Sequence, residues 1–259
     1  MILPATLRLA LYQAPPTLGD VEAAFDRLAD MLAAAAAAGA RMLVAPELLL
    51  PGYNRPDLHG EHAQPKGGPW QQRLSALARA AGCGVTLGWA ERDGDRVYNA
   101  ATAIGADGEV LGHYRKIQLF GPMEHASFAS GDTYALFDLE GHRTALLVCY
   151  DVEFAPHVRA LAERGAELIL VPTANPAGFE HVSDTFVPAR AGEMNLTIAY
   201  ANFCGTDGDI TFAGQSLVAG PDTQTIARAG RSEALLVADL GPAPAPALRS
   251  TQLTDYRKV

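Results

Sequence analysis

Cysteine is scarce in this chain, with Cys83, Cys149 and Cys204 the only three among 259 residues. Three thiols cannot all pair within one chain, and their spacing suits no zinc site, so a disulfide framework is excluded. That usage fits a reducing, cytoplasmic compartment. Positive charge is short as well: 20 Lys and Arg face 29 Asp and Glu, a formal net charge of −9. Such a balance offers no basic surface to nucleic acid or to an anionic membrane, which leaves a small molecule as the expected partner. No apolar run approaches the ~18 residues that span a bilayer, and the opening segment Met1 to Arg8 lacks the positive region that begins a secretory signal. His-Glu-x-x-His, Walker-type and spaced dinucleotide-glycine patterns are all missing, so neither a cofactor nor a metal is expected.

What the chain does have is an ordinary globular composition, 49% apolar and 19% charged, enough for a sizeable core. Length and the lack of an interior linker point to one α/β domain over residues 1–259, with 241–259 an extended C-terminal tail that starts at Gly241-Pro-Ala-Pro-Ala-Pro-Ala247. Leu7, Leu9 and Leu11 alternate with less apolar neighbours, which predicts a strand. Asp20 to Ala38 has helical spacing at Val21, Phe25, Leu28 and Leu32, with Asp20 as cap and Gly39 as stop. Further strands are expected at Met42–Ala45, Gly84–Trp89, Asn99–Ile104, Leu146–Val148, Leu168–Val171 and Thr197–Tyr200. Helices are expected near Trp70–Ala81, Pro156–Arg164 and Ser183–Glu193. Hairpin signals at Ala106–Gly108 and Val218–Asp222 add antiparallel pairs, so layered sheets and helices fit better than one doubly wound sheet.

Three of these strands run into a reactive side chain. Glu47 follows Met42–Ala45 among leucines, where poor solvation raises a carboxylate's pKa and makes it a usable proton acceptor near neutral pH. Lys116 ends a strand in Val110-Leu-Gly-His-Tyr-Arg-Lys116, between Tyr114 and Ile117, where an apolar setting would strengthen its hold on a developing oxyanion. Cys149 ends the third strand, just before a helix marked by Pro156. A nucleophilic thiol needs a positive neighbour or a helix N-terminus, and Cys149 has the setting for both. Cys83 and Cys204 have neither and read as small buried hydrophobes. Asp57, His59, Glu61 and His62 are clustered as metal ligands could be, but their polar surroundings with Gly60 read as a solvated loop.

At these sites the sequence resembles the carbon-nitrogen hydrolase family, the nitrilase superfamily, along essentially its whole length. The resemblance rests on Glu47 in Ala45-Pro-Glu-Leu-Leu-Leu-Pro-Gly-Tyr53, Lys116 in Tyr114-Arg-Lys-Ile-Gln-Leu-Phe120, Cys149 in Leu147-Val-Cys-Tyr-Asp151, and Glu124 in Gly121-Pro-Met-Glu-His125. Val171-Pro-Thr-Ala-Asn175, Tyr200-Ala-Asn-Phe-Cys-Gly205 and Gly214-Gln-Ser216 look most like the 5-aminopentanamidase and aliphatic amidase branch. Phe154-Ala-Pro156 departs from the family's Phe-Pro-Glu, and Met194 follows Glu193 where the family commonly has Arg-Ala-x-Glu-Asn.

The resemblance implies an α-β-β-α sandwich that packs as a dimeric α-β-β-α-α-β-β-α stack, making a homodimer or a higher homo-oligomer. It implies hydrolysis of a small primary amide to an acid and ammonia through a Cys149 thioester. Glu47 would be the base, Lys116 and the Tyr150 N–H the oxyanion donors, and Glu124 a positioning carboxylate. Tyr53, Tyr150, Glu153 and Asn175 are the expected substrate-binding residues, with Glu153 placed to meet a distant amine such as that of 5-aminopentanamide. An N-carbamoyl-amine hydrolase, a nitrilase and an inactive interaction protein on the same fold are the alternatives.

Overall fold

The computed structural model describes residues 6–242 and 244–257. Two sheets form its centre. One has seven strands, six of them in the order Ala234–Asp239, Arg8–Gln13, Met42–Val44, Gly84–Asp93, Arg96–Ile104 and Val110–Arg115, with the short Gln64–Pro65 beside Gly84–Asp93. The other has six, in the order Thr225–Arg228, Leu217–Ala219, Thr197–Ala201, Leu168–Pro172, His142–Leu146 and Leu136–Leu139. In each sheet three neighbouring strands are parallel and antiparallel strands flank them. Strands buried on both faces read as continuous apolar runs, and Leu168–Pro172 is buried at every residue.

The helices cover the outer faces. Val21–Ala37 buries Phe25, Leu28 and Leu32, and the adjacent Pro69–Ala81 buries Leu74 and Ala78, all packed with Leu43, Val85 and Leu87 of the first sheet. Asp20 caps the first of these helices by accepting from Ala23 N–H at 2.9 Å, and Gly39 ends it at φ 78°. On the second sheet Val158 and Leu161 of Ala155–Glu163 and Val187 and Ala191 of Val187–Met194 join a core that also holds Leu9, Leu11 and Val44 of the first sheet. That core therefore runs through the sheet–sheet interface. The result is the expected α-β-β-α sandwich. Each fully buried Leu or Val adds about 1.5–3 kcal/mol.

Several boundaries differ from the sequence reading. The strand expected at Leu146–Val148 is His142–Leu146, because the chain must leave the sheet to turn at Cys149. Leu147 N–H still reaches Leu170 O at 3.2 Å. The helix expected from Ser183 opens as a π-helical turn, Val182–Phe186. The tail is extended only in part, with helical turns at Pro246–Leu248 and Gln252–Asp255. It is held to its own chain by paired hydrogen bonds of 2.7 Å between Asn195 and Ser250. Residues 57–62 are not a solvated loop. They form the helix Pro56–His62, in which His59 is buried, bonded through Nε2 to Gly52 O at 2.9 Å and stacked on Phe128. Pro56 at the helix start sets the backbone for it.

Candidate active site

The parallel strands of both sheets deliver their C-terminal ends to one place, the usual location for ligands in α/β sheets. Glu47 follows Met42–Val44, and its N–H donates to Thr173 O, just past Leu168–Pro172, at 3.3 Å. The two sheets are thereby joined. Gly88 permits this arrangement, since a Cβ there would lie 2.5 Å from Glu47 Cα.

Glu47, Lys116 and Glu124 are all fully buried. Lys116 Nζ donates at 2.7 Å to Oε1 of Glu47 and at 2.7 Å to Oε1 of Glu124. An ammonium has three donors, so one is left. Glu124 also accepts from Tyr53 O–H at 2.9 Å and from Phe120 N–H at 3.1 Å. Glu47 Oε1 accepts a second bond, from Asn99 Nδ2 at 2.7 Å, while its Oε2 is buried without a partner. Burial raises the Glu47 pKa most strongly, Lys116 lowers it and Glu124 raises it again, leaving it at about 7. For Lys116 burial opposes the charge, but the Glu47 and Glu124 carboxylates outweigh burial and raise its pKa, so it stays an ammonium.

Cys149 begins a 3-10 turn, Cys149–Glu153, with φ at 44°. A non-glycine residue in this region costs on the order of 1–3 kcal/mol and is retained where surrounding structure enforces it. The expected positive neighbour and helical turn are both present, yet they do not lower the thiol pKa overall. Burial and then the Glu47 charge raise it well above its ordinary value, against the lowering effects of Lys116, the Thr173 hydroxyl and the Ala174 N–H. The resting group is a thiol that needs a base. Tyr150 N–H lies in the first turn, where N–H groups lack intrahelical acceptors. Cys83 and Cys204 are buried away from any such cluster, and burial pushes each up to about 11.

The four residues expected to bind substrate are placed differently from one another. Tyr53 is buried with its hydroxyl on Glu124. Tyr150 stands in a rim of aromatic rings, with centroids 5.2 Å from Phe120 and 4.8 Å from Phe154, and Phe120 is 5.8 Å from Phe179. Glu153 is half-buried, and burial raises its pKa against the opposing charges of His181, Lys116 and Arg190. Asn175 is held by the fold: its Nδ2 donates to Phe179 O at 3.0 Å, and its N–H and C=O both bond to Asn202.

Asn99, Asp151, Thr173 and Tyr200 went unassigned in the sequence reading. An Asn in the middle of a strand is a signal, because Asn is depleted there. Asp151 is buried, accepts from Tyr114 O–H at 2.9 Å, Val148 N–H at 3.1 Å and Gln118 N–H at 2.8 Å, and has its pKa raised to about 6 by burial. Among the described residues no three His, Cys, Asp or Glu side chains come together as a metal site, and no helix is long and apolar enough to cross a membrane.

The carbon-nitrogen hydrolase family model matches residues 8–249. The chain belongs to the carbon-nitrogen hydrolase family, within the nitrilase superfamily. It is 44% identical over 238 residues to the "Hydrolase in pqqF 5'region" of Pseudomonas protegens, covering 91% of this chain and 83% of that one. It is 34% identical over 200 residues to an (R)-stereoselective amidase of Pseudomonas sp, covering 77% of this chain and 72% of that one. Among solved structures, an amidase from Nesterenkonia sp. superposes with a TM-score of 0.89 at 35% identity, covering 99% of this chain and 95% of that one. The chain is therefore a hydrolase acting on carbon-nitrogen bonds of amides other than peptide bonds.

Proposed function

We propose that this protein hydrolyses a small primary amide to an acid and ammonia through a thioester on Cys149. The observation that carries the reading is the division of labour on Glu47. Lys116 and Asn99 hold Oε1, while Oε2 is buried, unpartnered and next to a thiol too weakly acidic to ionise alone.

Glu47 Oε2 takes the thiol proton as Cys149 Sγ attacks the amide carbon. The carbonyl oxygen becomes an oxyanion held by the remaining Lys116 N–H and by Tyr150 N–H, in a site where burial strengthens both interactions. Collapse breaks the C–N bond, and Glu47 returns its proton to the departing ammonia. Water then gives a proton to Glu47 and attacks the thioester, and the acid leaves as the thiol is reprotonated. Glu124 keeps Lys116 in place throughout. A cysteine nucleophile is supported by a Glu-to-Gln mutant of the Nesterenkonia amidase, whose active-site cysteine carries the Michael adduct of acrylamide and, separately, the acetamide moiety of fluoroacetamide.

The finer reading is an ω-amino amide such as 5-aminopentanamide, supported by a half-buried Glu153 carboxylate that accepts no side-chain hydrogen bond among the described residues. The test is ammonia release from a panel of linear amides, N-carbamoyl amines and nitriles, run with the Cys149→Ala protein as control. Release from amides supports the proposal. Release confined to carbamoyl compounds or nitriles gives the substrate class to one of those, and no release from any compound makes the chain an inactive member of its family.

A further inference from the structure

Two buried hydroxyls beside Cys149 take no part in the Glu47, Lys116 and Glu124 cluster. In the second sheet Tyr200 is opposite Val171 on a parallel strand, and Thr173 lies two residues beyond Val171, its N–H donating to Ala201 O at 2.9 Å. Residues two apart along a strand share a face, so Thr173 and Tyr200 project to the same side. Beside that strand, Leu147 N–H donates to Leu170 O at 3.2 Å, and two residues on the chain turns at Cys149 next to the strand's end.

Thr173 is fully buried and Tyr200 is 1% exposed, and neither hydroxyl oxygen has a hydrogen-bond partner of normal geometry. An orphaned buried polar group is destabilising, and two adjacent ones call for an explanation. The Thr173 hydroxyl lies next to both the Cys149 sulfur and the Tyr200 phenol, and lowers the pKa of each. Around the sulfur the other titratable groups are Glu47, Lys116, Tyr53 and Tyr200, with Glu124 and Asp151 acting on Lys116 and Glu153 on Tyr200.

We propose that Thr173 and Tyr200 form a hydroxyl relay that receives the charge on Cys149 sulfur. When the thiol proton passes to Glu47 Oε2, Thr173 O–H turns to donate to Sγ and Tyr200 O–H donates to Thr173 Oγ1. No bond is broken in either hydroxyl. Thr173 touches the reacting atom, and Tyr200 is a positioning residue that acts only through Thr173. The relay rests on Cys149 being the nucleophile.

The experiment measures alkylation of Cys149 by iodoacetamide against pH, read on the Cys149 peptide by mass, in the full chain and in the Thr173→Val, Thr173→Ser and Tyr200→Phe proteins. Alkylation needs no amide turnover, so a failure of the relay is separable from a failure of the amidase reading. Thr173→Val is expected to move the alkylation midpoint up by about one pH unit and slow the reaction at pH 7 by about tenfold. Thr173→Ser restores the profile. Tyr200→Phe shifts it less in the same direction and adds nothing in the Thr173→Val background. An unshifted Tyr200→Phe profile overturns the relay, as does a Thr173→Ser profile like that of Thr173→Val. Thr173→Ser and Tyr200→Phe each remove a single heavy atom, so they decide the question even where Thr173→Val does not fold.

Discussion

Asp151 Oδ1 accepts the Gln118 N–H at 2.8 Å, a bond that ties the turn carrying Cys149 to the loop that leaves Lys116. The other oxygen accepts from Val148 N–H and Tyr114 O–H, one residue before the nucleophile and two before the lysine. A single carboxylate thus ties Cys149 to Lys116, the proposed nucleophile and oxyanion donor. Placement errors of about 1 Å can cost on the order of a hundredfold in rate. Asp151→Asn puts an N–H donor where three donors already converge, and a Val148 or Gln118 N–H loses its acceptor. Unfolding should show a loss of about 1–3 kcal/mol, with kcat reduced at least about tenfold. A folded Asp151→Asn protein with unchanged kcat would remove this role.

Of the three thiols, Cys149 is the one that feels both the Glu47 carboxylate and the Lys116 ammonium. Cys149→Ala should abolish hydrolysis, while Cys83→Ala and Cys204→Ala should each keep most of it, their cost falling on stability because both are buried. Intact mass during turnover should show an acyl adduct on the Cys149 peptide. An adduct on either other cysteine would reassign the nucleophile.

Glu47, Lys116 and Glu124 share one chain of 2.7 Å contacts, so their losses should not add. Glu47→Gln and Lys116→Ala are each expected to lower kcat steeply, and the double variant should be little worse than the more damaged single one. Losses that multiply would show that the residues act separately.

The same contacts set the pH profile. Glu47 works as a base only when ionised, so kcat/KM should be retained above its pKa of about 7 and lost as pH falls through it. The Glu124 charge is one of the influences that raise that pKa. Glu124→Gln removes it, so the acid limb of whatever activity remains should move to lower pH. Movement to higher pH would mean that the limb belongs to another group.

Much of this site could be read from the chain because Glu47, Lys116 and Cys149 each interrupt an apolar strand, and ionisable groups in such places have few structural reasons to be there. The layering followed from the same strands and from helices with regular apolar spacing. Asn99, Asp151 and Asn202 were not legible as site supports, since their partners lie 52, 33 and 27 residues away and only the register of the sheets brings them together. His59 was misread for a related reason. Its neighbours are polar, but Gly52 O and the Phe128 ring, both supplied by other segments, bury it. The Cys149 thiol also differs from expectation, because the depth of burial that, with the Glu47 charge, outweighs Lys116 and the helical turn is not visible in the sequence.

The proposed ω-amino preference rests on Glu153. The helix after the nucleophile turn starts at Ala155, so Glu153 does not sit in its first turn, where an acidic residue would simply favour the helix N-terminus. Arg190 Nη2 bonds to the Glu153 backbone carbonyl at 3.0 Å, not to the carboxylate. A half-buried carboxylate left in that position, its pKa raised by burial, gains from meeting an ammonium. A charge-assisted hydrogen bond there is worth roughly 1.5–3 kcal/mol, or about tenfold to a hundredfold in selectivity. The kcat/KM for 5-aminopentanamide should therefore exceed that for pentanamide, and Glu153→Gln should narrow the gap while leaving turnover of the neutral amide largely intact. The preference should also weaken as pH falls through the raised Glu153 pKa, because a protonated carboxyl no longer attracts the amine's charge. Equal kcat/KM for the two amides in the unmutated protein would remove the ω-amino preference and leave a general amidase.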